Sequence, residues 1–184
     1  MGYSTSFSGE FHIVPVLTSA QIAYLKALSS TRRMARDPEK LKDFPDPLRE
    51  AVGLPLGPEG MYFVGDSENY GQNKYLSILD FNNYPGYRIT HQPEWAQPGL
   101  WLQWVPSDDG TILEWDQGEK FNNYVEWLQW LQNYVFNLWN VTLEGEVRWQ
   151  GEESDDIGVI YAKPGYKIES CRAIIQYPKP SWET

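Results

Sequence analysis

The stretch GLWLQWVPSDDGTILEWDQGEKF, residues 99–121, places three tryptophans and five acidic residues in 23 positions. LWLQWV and TILEW are two β-prone runs, and Pro106, Ser107, Asp108, Asp109 and Gly110 between them favour a tight turn, so the stretch reads as a β-hairpin. Directly beyond it, EKFNNYVEWLQWLQNYVFNLW carries apolar residues at helical spacing and predicts the main helix, Glu119 to Trp139. A hairpin that leads straight into a helix, instead of strands alternating with crossover helices, is the pattern of an α+β domain built on a largely antiparallel sheet.

The rest of the chain extends that pattern. Tyr3, Thr5, Phe7, Phe11 and Ile13 alternate with Ser4, Ser6, Ser8, Glu10 and His12, which predicts a half-buried strand. In LTSAQIAYLKALSS, Thr18 and Gln21 have capping-box spacing, so a helix is expected from about Ser19 with Ile22, Leu25 and Leu28 on the core, ending near Ser29 or running on into TRRMAR. Pro38, Pro45, Pro47, Pro55 and Pro58 exclude a long regular element over residues 37–60, although DPLREAVG allows a short helix closed by Gly53. MYFVG reads as a short strand, and Gly65 to Pro98 as a long irregular connection of the kind that often carries function. TLEGEVRWQ alternates with Leu143, Val147 and Trp149 inward and Glu144, Glu146 and Arg148 outward; IGVIYA and YKIESCRAII follow as a second hairpin turning on Lys163, Pro164 and Gly165. The expected order is β-α-(irregular)-β-β-α-β-β-β, a single α+β domain over residues 1–184 with two helices on one face of the sheet.

Placed at 100° per residue, the predicted main helix is apolar around more than half of its circumference. Phe121, Val125, Leu128, Val135 and Trp139 form the centre of the stripe; Tyr124, Leu131 and Leu138 extend it, and Trp127, Trp130 and Tyr134 add a second aromatic face. A helix lying on one sheet needs little more than about 100° of apolar arc. The surplus face is either covered by the long irregular segment or exposed as a partner site, where Trp and Tyr are the usual anchors.

Net charge is −10, and it is unevenly distributed: residues 1–92 hold 9 Lys+Arg against 10 Asp+Glu, residues 93–184 hold 6 against 15. Nucleic-acid binders neutralise phosphates with cations, so direct nucleic-acid binding is not expected of the second half. That half suits a partner with a basic surface, or serves solubility. The lone Cys171 forms no internal disulfide, and two histidines with one cysteine give no zinc-type ligand set, so neither a metal nor another cofactor is expected. No apolar run is long enough to span a membrane, and the first residues lack a secretory pattern, which makes the cytoplasm the expected compartment.

Asp108, Asp109, Glu114, Asp116 and Glu119, with Glu152, Glu153, Asp155 and Asp156, include enough carboxylates for acid–base chemistry beside aromatic platforms. Turn formation and helix-dipole complementarity explain several of them more simply. Arg32, Arg33 and Arg36 either close a helix C-terminus or grip an anionic group such as phosphate. His12, on a strand, and His91, in the irregular region, belong to no recognisable triad.

MGYSTSFSG and YLKALSSTRRMAR, QPGLWLQWVPSDDGTILEWDQGEKFNNYVEWLQWL, and EVRWQGEESDDIGVI resemble a family of uncharacterised proteins from bacterial and bacteriophage genomes. The run from Gln97 to Leu131 is the most specific part, and Asp37 to Tyr62 departs from the pattern like an insertion. The resemblance implies a bacterial or viral cytosolic origin and transfers no catalytic residue. The expectation is a non-enzymatic acidic interaction protein whose partner is a basic, nucleic-acid-associated host protein, with Trp127, Trp130, Tyr134, Glu144 and Glu146 as contact residues. Alternatives are a small enzyme acting on a nucleotide or sugar, with Arg32, Arg33 and Arg36 holding an anion, and a homodimer formed through the aromatic face.

Overall fold

A computed structural model describes residues 3–65, 68–73, 77–79 and 93–178. The alternating first segment forms β1, Ser6–Val14, with Phe11 and Ile13 buried and Glu10 and His12 exposed. Helix α1, Ser19–Ser29, carries the expected capping box: the Gln21 amide N–H donates to the Thr18 hydroxyl, and the Thr18 N–H donates to Gln21 Oε1 at 2.8 Å. It ends at Ser29, so TRRMAR is not helical; Ala35–Arg36 form the short strand β2 instead. The proline-rich segment contains two short α-helices, α2 (Pro38–Leu41) and α3 (Pro47–Ala51), and a 3₁₀ turn, Pro58–Gly60, with Gly53 at positive φ just past α3 as expected for a C-cap.

MYFVG is not a strand. Met61, Tyr62, Phe63 and Val64 are all buried, and side chains bind their backbone: Gln97 Nε2 donates to the Met61 carbonyl at 2.8 Å and the Tyr24 hydroxyl to the Tyr62 carbonyl at 3.1 Å. A run buried on both sides and satisfied in this way needs no ladder partner. Of the predicted irregular connection Gly65 to Pro98, residues 66–67, 74–76 and 80–92, His91 among them, lie outside the described residues; Ser77–Leu79 form β3, paired with β2.

The predicted hairpin is β4 (Trp104–Pro106) and β5 (Ile112–Trp115), closed by Gly110 at φ 72°. Its turn is stiffened by Asp109 Oδ1, which accepts from the Ser107 hydroxyl at 2.6 Å and from the Thr111 hydroxyl and N–H; these bonds hold the Asp109 carboxyl down to about 2. With β6 (Thr142–Gln150), β7 (Ile157–Ala162) and β8 (Glu169–Arg172) it completes a six-stranded antiparallel sheet of order β4-β5-β1-β6-β7-β8. Both β5 and β6 run antiparallel to β1, so the helix between them crosses over β1, the centre of the sheet.

The predicted helix 119–139 is α4 (Tyr124–Leu131) continued by a π-helical turn (Gln132–Phe136) and a 3₁₀ turn (Asn137–Trp139). Asn123, in the left-handed region at φ 56°, delays its start. The wider π turn also rotates the residues beyond it, so Leu138, expected on the apolar stripe, is 57% exposed while Phe136 is fully buried. One face of α4 packs with α1 onto Phe11, Trp104, Leu113, Leu143 and Val147 of the sheet.

The second face is covered too. Tyr62 lies 6.0 Å from the Trp130 ring and its hydroxyl donates to the Tyr134 carbonyl; Trp130 Nε1 donates to the Trp95 carbonyl at 2.8 Å and Trp139 Nε1 to the Val52 carbonyl at 3.1 Å. Burial pushes the Tyr62 hydroxyl up to about 12, which keeps it a donor at physiological pH. The cover is pinned by Asp46, fully buried, which pairs with Arg49 at 3.0 Å and accepts from the Val64 N–H, while Arg49 Nη1 donates to the Leu54 carbonyl. Removing one partner of such a pair strands a buried charge, so Asp46→Ala should lower the unfolding free energy by about 3 kcal/mol in urea titration. Trp130→Ala should cost about 3–5 kcal/mol in the same measurement, the range for emptying an aromatic core site; a loss below about 1 kcal/mol would mean the face is not core.

Candidate functional site

Trp127 and Trp130 are 2% and 3% exposed and Tyr134 is half-buried, so this set is not available as a partner surface or for pairing with a second copy. The physical reason is the cover just described, supplied by Val52 to Val64 and Trp95 to Gln97. Trp127 is packed so closely that a Cβ on Gly99 would lie 2.8 Å from its indole nitrogen.

The arginines are likewise not an open anion cradle, nor do they close α1. Arg33 and Arg36 are buried; the Arg36 guanidinium lies over the Phe63 ring and donates from Nη2 to the carbonyls of Arg32 and Gly71, at 3.0 and 3.1 Å. The Arg32 N–H donates to the Tyr70 carbonyl and the Arg33 N–H to the Leu100 carbonyl. This segment stitches two irregular stretches together, a use for guanidinium groups that a charge count does not reveal.

Most acids of the two candidate clusters have local duties. Asp108 pairs with Lys26, Asp109 builds its turn, Asp116 accepts from the Gly118 N–H, Glu152 accepts from the Ser4 N–H, Asp156 accepts from the Tyr3 hydroxyl, and Asp155 and Asp156 lie within 4.0 Å of Arg172. Among the described residues no group of three or more His, Cys, Asp or Glu side chains is placed to hold a metal ion, and no helix is long and apolar enough to cross a membrane.

Glu144 and Glu146 are different. They project from β6 on the sheet face opposite the helices, which no described element covers. The register places Glu10 of β1 directly opposite Glu146, and His12 opposite Glu144. On its other side Glu146 faces Tyr161 of β7, which faces Glu169 of β8. The result is a cross-strand row Glu10–Glu146–Tyr161–Glu169 with strands spaced about 4.8 Å apart. Arg148, on the same face, is the one cation within reach among the described residues, 4.0 Å from Glu146 and largely exposed. Gly9 helps hold the two carboxylates at this register: its φ is 104°, and a Cβ there would meet the Glu146 carbonyl oxygen at 2.9 Å. Farther along the same strands Ser6, Ser8, Arg148, Gln150, Ile157 and Val159 line a shallow hollow of about 350 Å³.

Comparison with protein-family models, with curated proteins and with solved structures finds no match. The face therefore has to be read from its own chemistry. Glu10 reads from the sequence as an outward strand residue, but its alignment with Glu146 depends on a strand order that joins the first strand to the sixth. Like charges directly opposed across strands destabilise by about 0.2–1 kcal/mol. Glu10→Gln should accordingly raise stability by a few tenths of a kcal/mol at low salt, an increment that thermal unfolding in 1 M NaCl, where the Debye length is about 3 Å, should no longer show.

Proposed function

We propose that this protein is a non-enzymatic binding protein whose acidic sheet face docks on a basic surface of another protein. The observation that carries the reading is the opposed pair Glu10 and Glu146, extended to Glu144 and Glu169, on an uncovered face. The arrangement weakens the sheet instead of strengthening it, so its explanation lies outside the fold. Desolvating such a row against guanidinium or ammonium groups converts mutual repulsion into attraction and accelerates encounter through the long-range field. The neighbouring hollow with Ile157 and Val159 offers apolar area beside the charges, the mixture that a specific interface needs.

The partner class that fits is a basic nucleic-acid-binding protein, whose cationic groove accepts a row of carboxylates in place of phosphates. An excess of Asp and Glu, 15 against 6 Lys and Arg over residues 93–184, argues that the chain acts on such a protein and not on the nucleic acid itself.

The test uses a fluorescent arginine-rich peptide bound to a DNA duplex. The protein should release the peptide from the duplex, with an affinity that falls as salt is raised. The triple variant Glu10→Gln, Glu144→Gln, Glu146→Gln should remain folded and bind the peptide at least about tenfold more weakly. Equal binding by the triple variant would refute the assignment of this face.

A further inference from the structure

A groove of about 460 Å³ runs between the π-helical turn and the turn that joins β7 to β8. Its walls are set by Gln129, Asn133 and Asn137 on one side and Lys163, Tyr166 and Lys167 on the other. The volume is in the range of small-molecule sites, about 300–1,000 Å³.

Its charge runs against its surroundings. Residues 93–184 contain 15 Asp and Glu against 6 Lys and Arg, yet two of those six cations line this groove. No acidic side chain among the described residues does. The two arginines of the same half that the structure describes lie within 4.0 Å of carboxylates, Arg148 of Glu146 and Arg172 of Asp155 and Asp156. Lys163 and Lys167 form no ion pair within 4.0 Å among the described residues, although Lys167 also borders a neighbouring hollow lined by Glu94 and Glu126; Lys163 rests 5.1 Å from the centre of the Tyr166 ring. In an acidic protein, two lysines without an ion pair around one cavity that no acidic side chain lines leave a local site for an anion.

The amide side chains supply the rest. Gln129 Nε2 donates to the Ile168 carbonyl at 3.0 Å, and Gln132 Nε2 to Asn137 Oδ1 at 2.8 Å and the Val141 carbonyl at 3.2 Å. The Gln129 bond ties the end of α4 to the far wall, and the two Gln132 bonds use both of its amide N–H groups, leaving the carbonyl oxygens of Gln129 and Gln132 as acceptors. Asn133, exposed on the same wall, offers both a donor and an acceptor. Acceptors in a row call for hydroxyl donors, and Tyr166, 69% exposed, adds an aromatic surface. The π turn is what widens this end of the helix, and such turns recur at functional sites.

We infer that this groove binds a sugar phosphate, its phosphate held by Lys163 and Lys167 and its hydroxyls by the Gln129, Gln132 and Asn133 amides. The site is separate from the acidic sheet face, and neither reading depends on the other.

The test is titration calorimetry, with side-chain amide NMR of Asn133 and Gln129, using glucose 6-phosphate, adenosine 5′-monophosphate, glucose and inorganic phosphate as probes. One or both of the phosphorylated sugars should bind and shift the Asn133 and Gln129 amide signals, while glucose and inorganic phosphate should each bind at least about tenfold more weakly. Glucose 6-phosphate alone points to a free sugar phosphate, and adenosine 5′-monophosphate alone to a nucleotide. The exposed double variant Lys163→Ala, Lys167→Ala should keep the wild-type melting temperature and lose at least about tenfold in affinity. Three results overturn the inference: no binding of either phosphorylated sugar at about 10 mM, inorganic phosphate binding as tightly as they do, or affinity unchanged in the double variant.

Discussion

A helix that is apolar around more than half of its circumference has to be covered from two sides, and the rest of the structure is organised by that constraint. The sheet covers one side, through Phe11, Trp104, Leu113, Leu143 and Val147. The other side is too wide for the sheet to reach, and it recruits the proline-rich segment, with Leu54, Met61, Tyr62 and Val64 buried on it. Burying aromatic rings brings N–H and O–H groups into the core, and most find an acceptor, Trp127 Nε1 being the exception among the described residues. Trp104, Trp130 and Trp139 donate to backbone carbonyls of Tyr124, Trp95 and Val52, and Tyr62 to that of Tyr134. The Trp95 and Val52 carbonyls are free to accept because the covering segments are irregular there. A regular strand or helix would have used them in its own hydrogen bonds. The lack of secondary structure in the cover is therefore part of how it works.

With both sides of the helix occupied, the opposite face of the sheet is the one that no described element covers. Along β6 its outward residues Glu144, Glu146, Arg148 and Gln150 are polar or charged, as in any half-solvated antiparallel sheet, while β7 adds Ile157, Val159 and Tyr161. What sets it apart is alignment: Glu10, Glu146 and Glu169 fall on one line across the strands, with Tyr161 between the last two. Stability alone gives no reason to keep carboxylates opposed in this way. Just beyond the Tyr161–Glu169 pair, the turn that joins β7 to β8 carries Lys163 and Lys167 on the rim of the groove. Charge is thus sorted by place, acids on the sheet face and two cations at the β7–β8 turn, within one acidic chain.

Much of the fold was legible in local patterns. Alternation placed β1 and β6 and their inward faces, the Thr18–Gln21 box placed the start of α1, and Asp109 with Gly110 placed the hairpin turn. These depend on neighbours in sequence. What sequence could not show depends on neighbours in space. Arg33 and Arg36 looked like a basic cluster, although both are buried, because the Phe63 ring and Gly71 carbonyl that receive Arg36 lie some thirty positions away. MYFVG looked like a strand because a fully buried run is apolar whatever its backbone does. The aromatic helix face was readable as surplus, with its cover undecided between the irregular segment and a partner. Glu144 and Glu146 were visible as outward acids, while Glu10 joined them only through the pairing of strands 136 residues apart in the register Glu10↔Glu146.

The most direct measurement is carbodiimide labelling of exposed carboxylates, read by mass spectrometry with and without the arginine-rich peptide. Docking on the sheet face predicts that Glu10, Glu144 and Glu146 lose labelling in the complex while Glu152, Glu153 and Asp108 keep theirs. Equal protection of every exposed carboxylate would show that the peptide responds to net charge alone, and would contradict a defined acidic face.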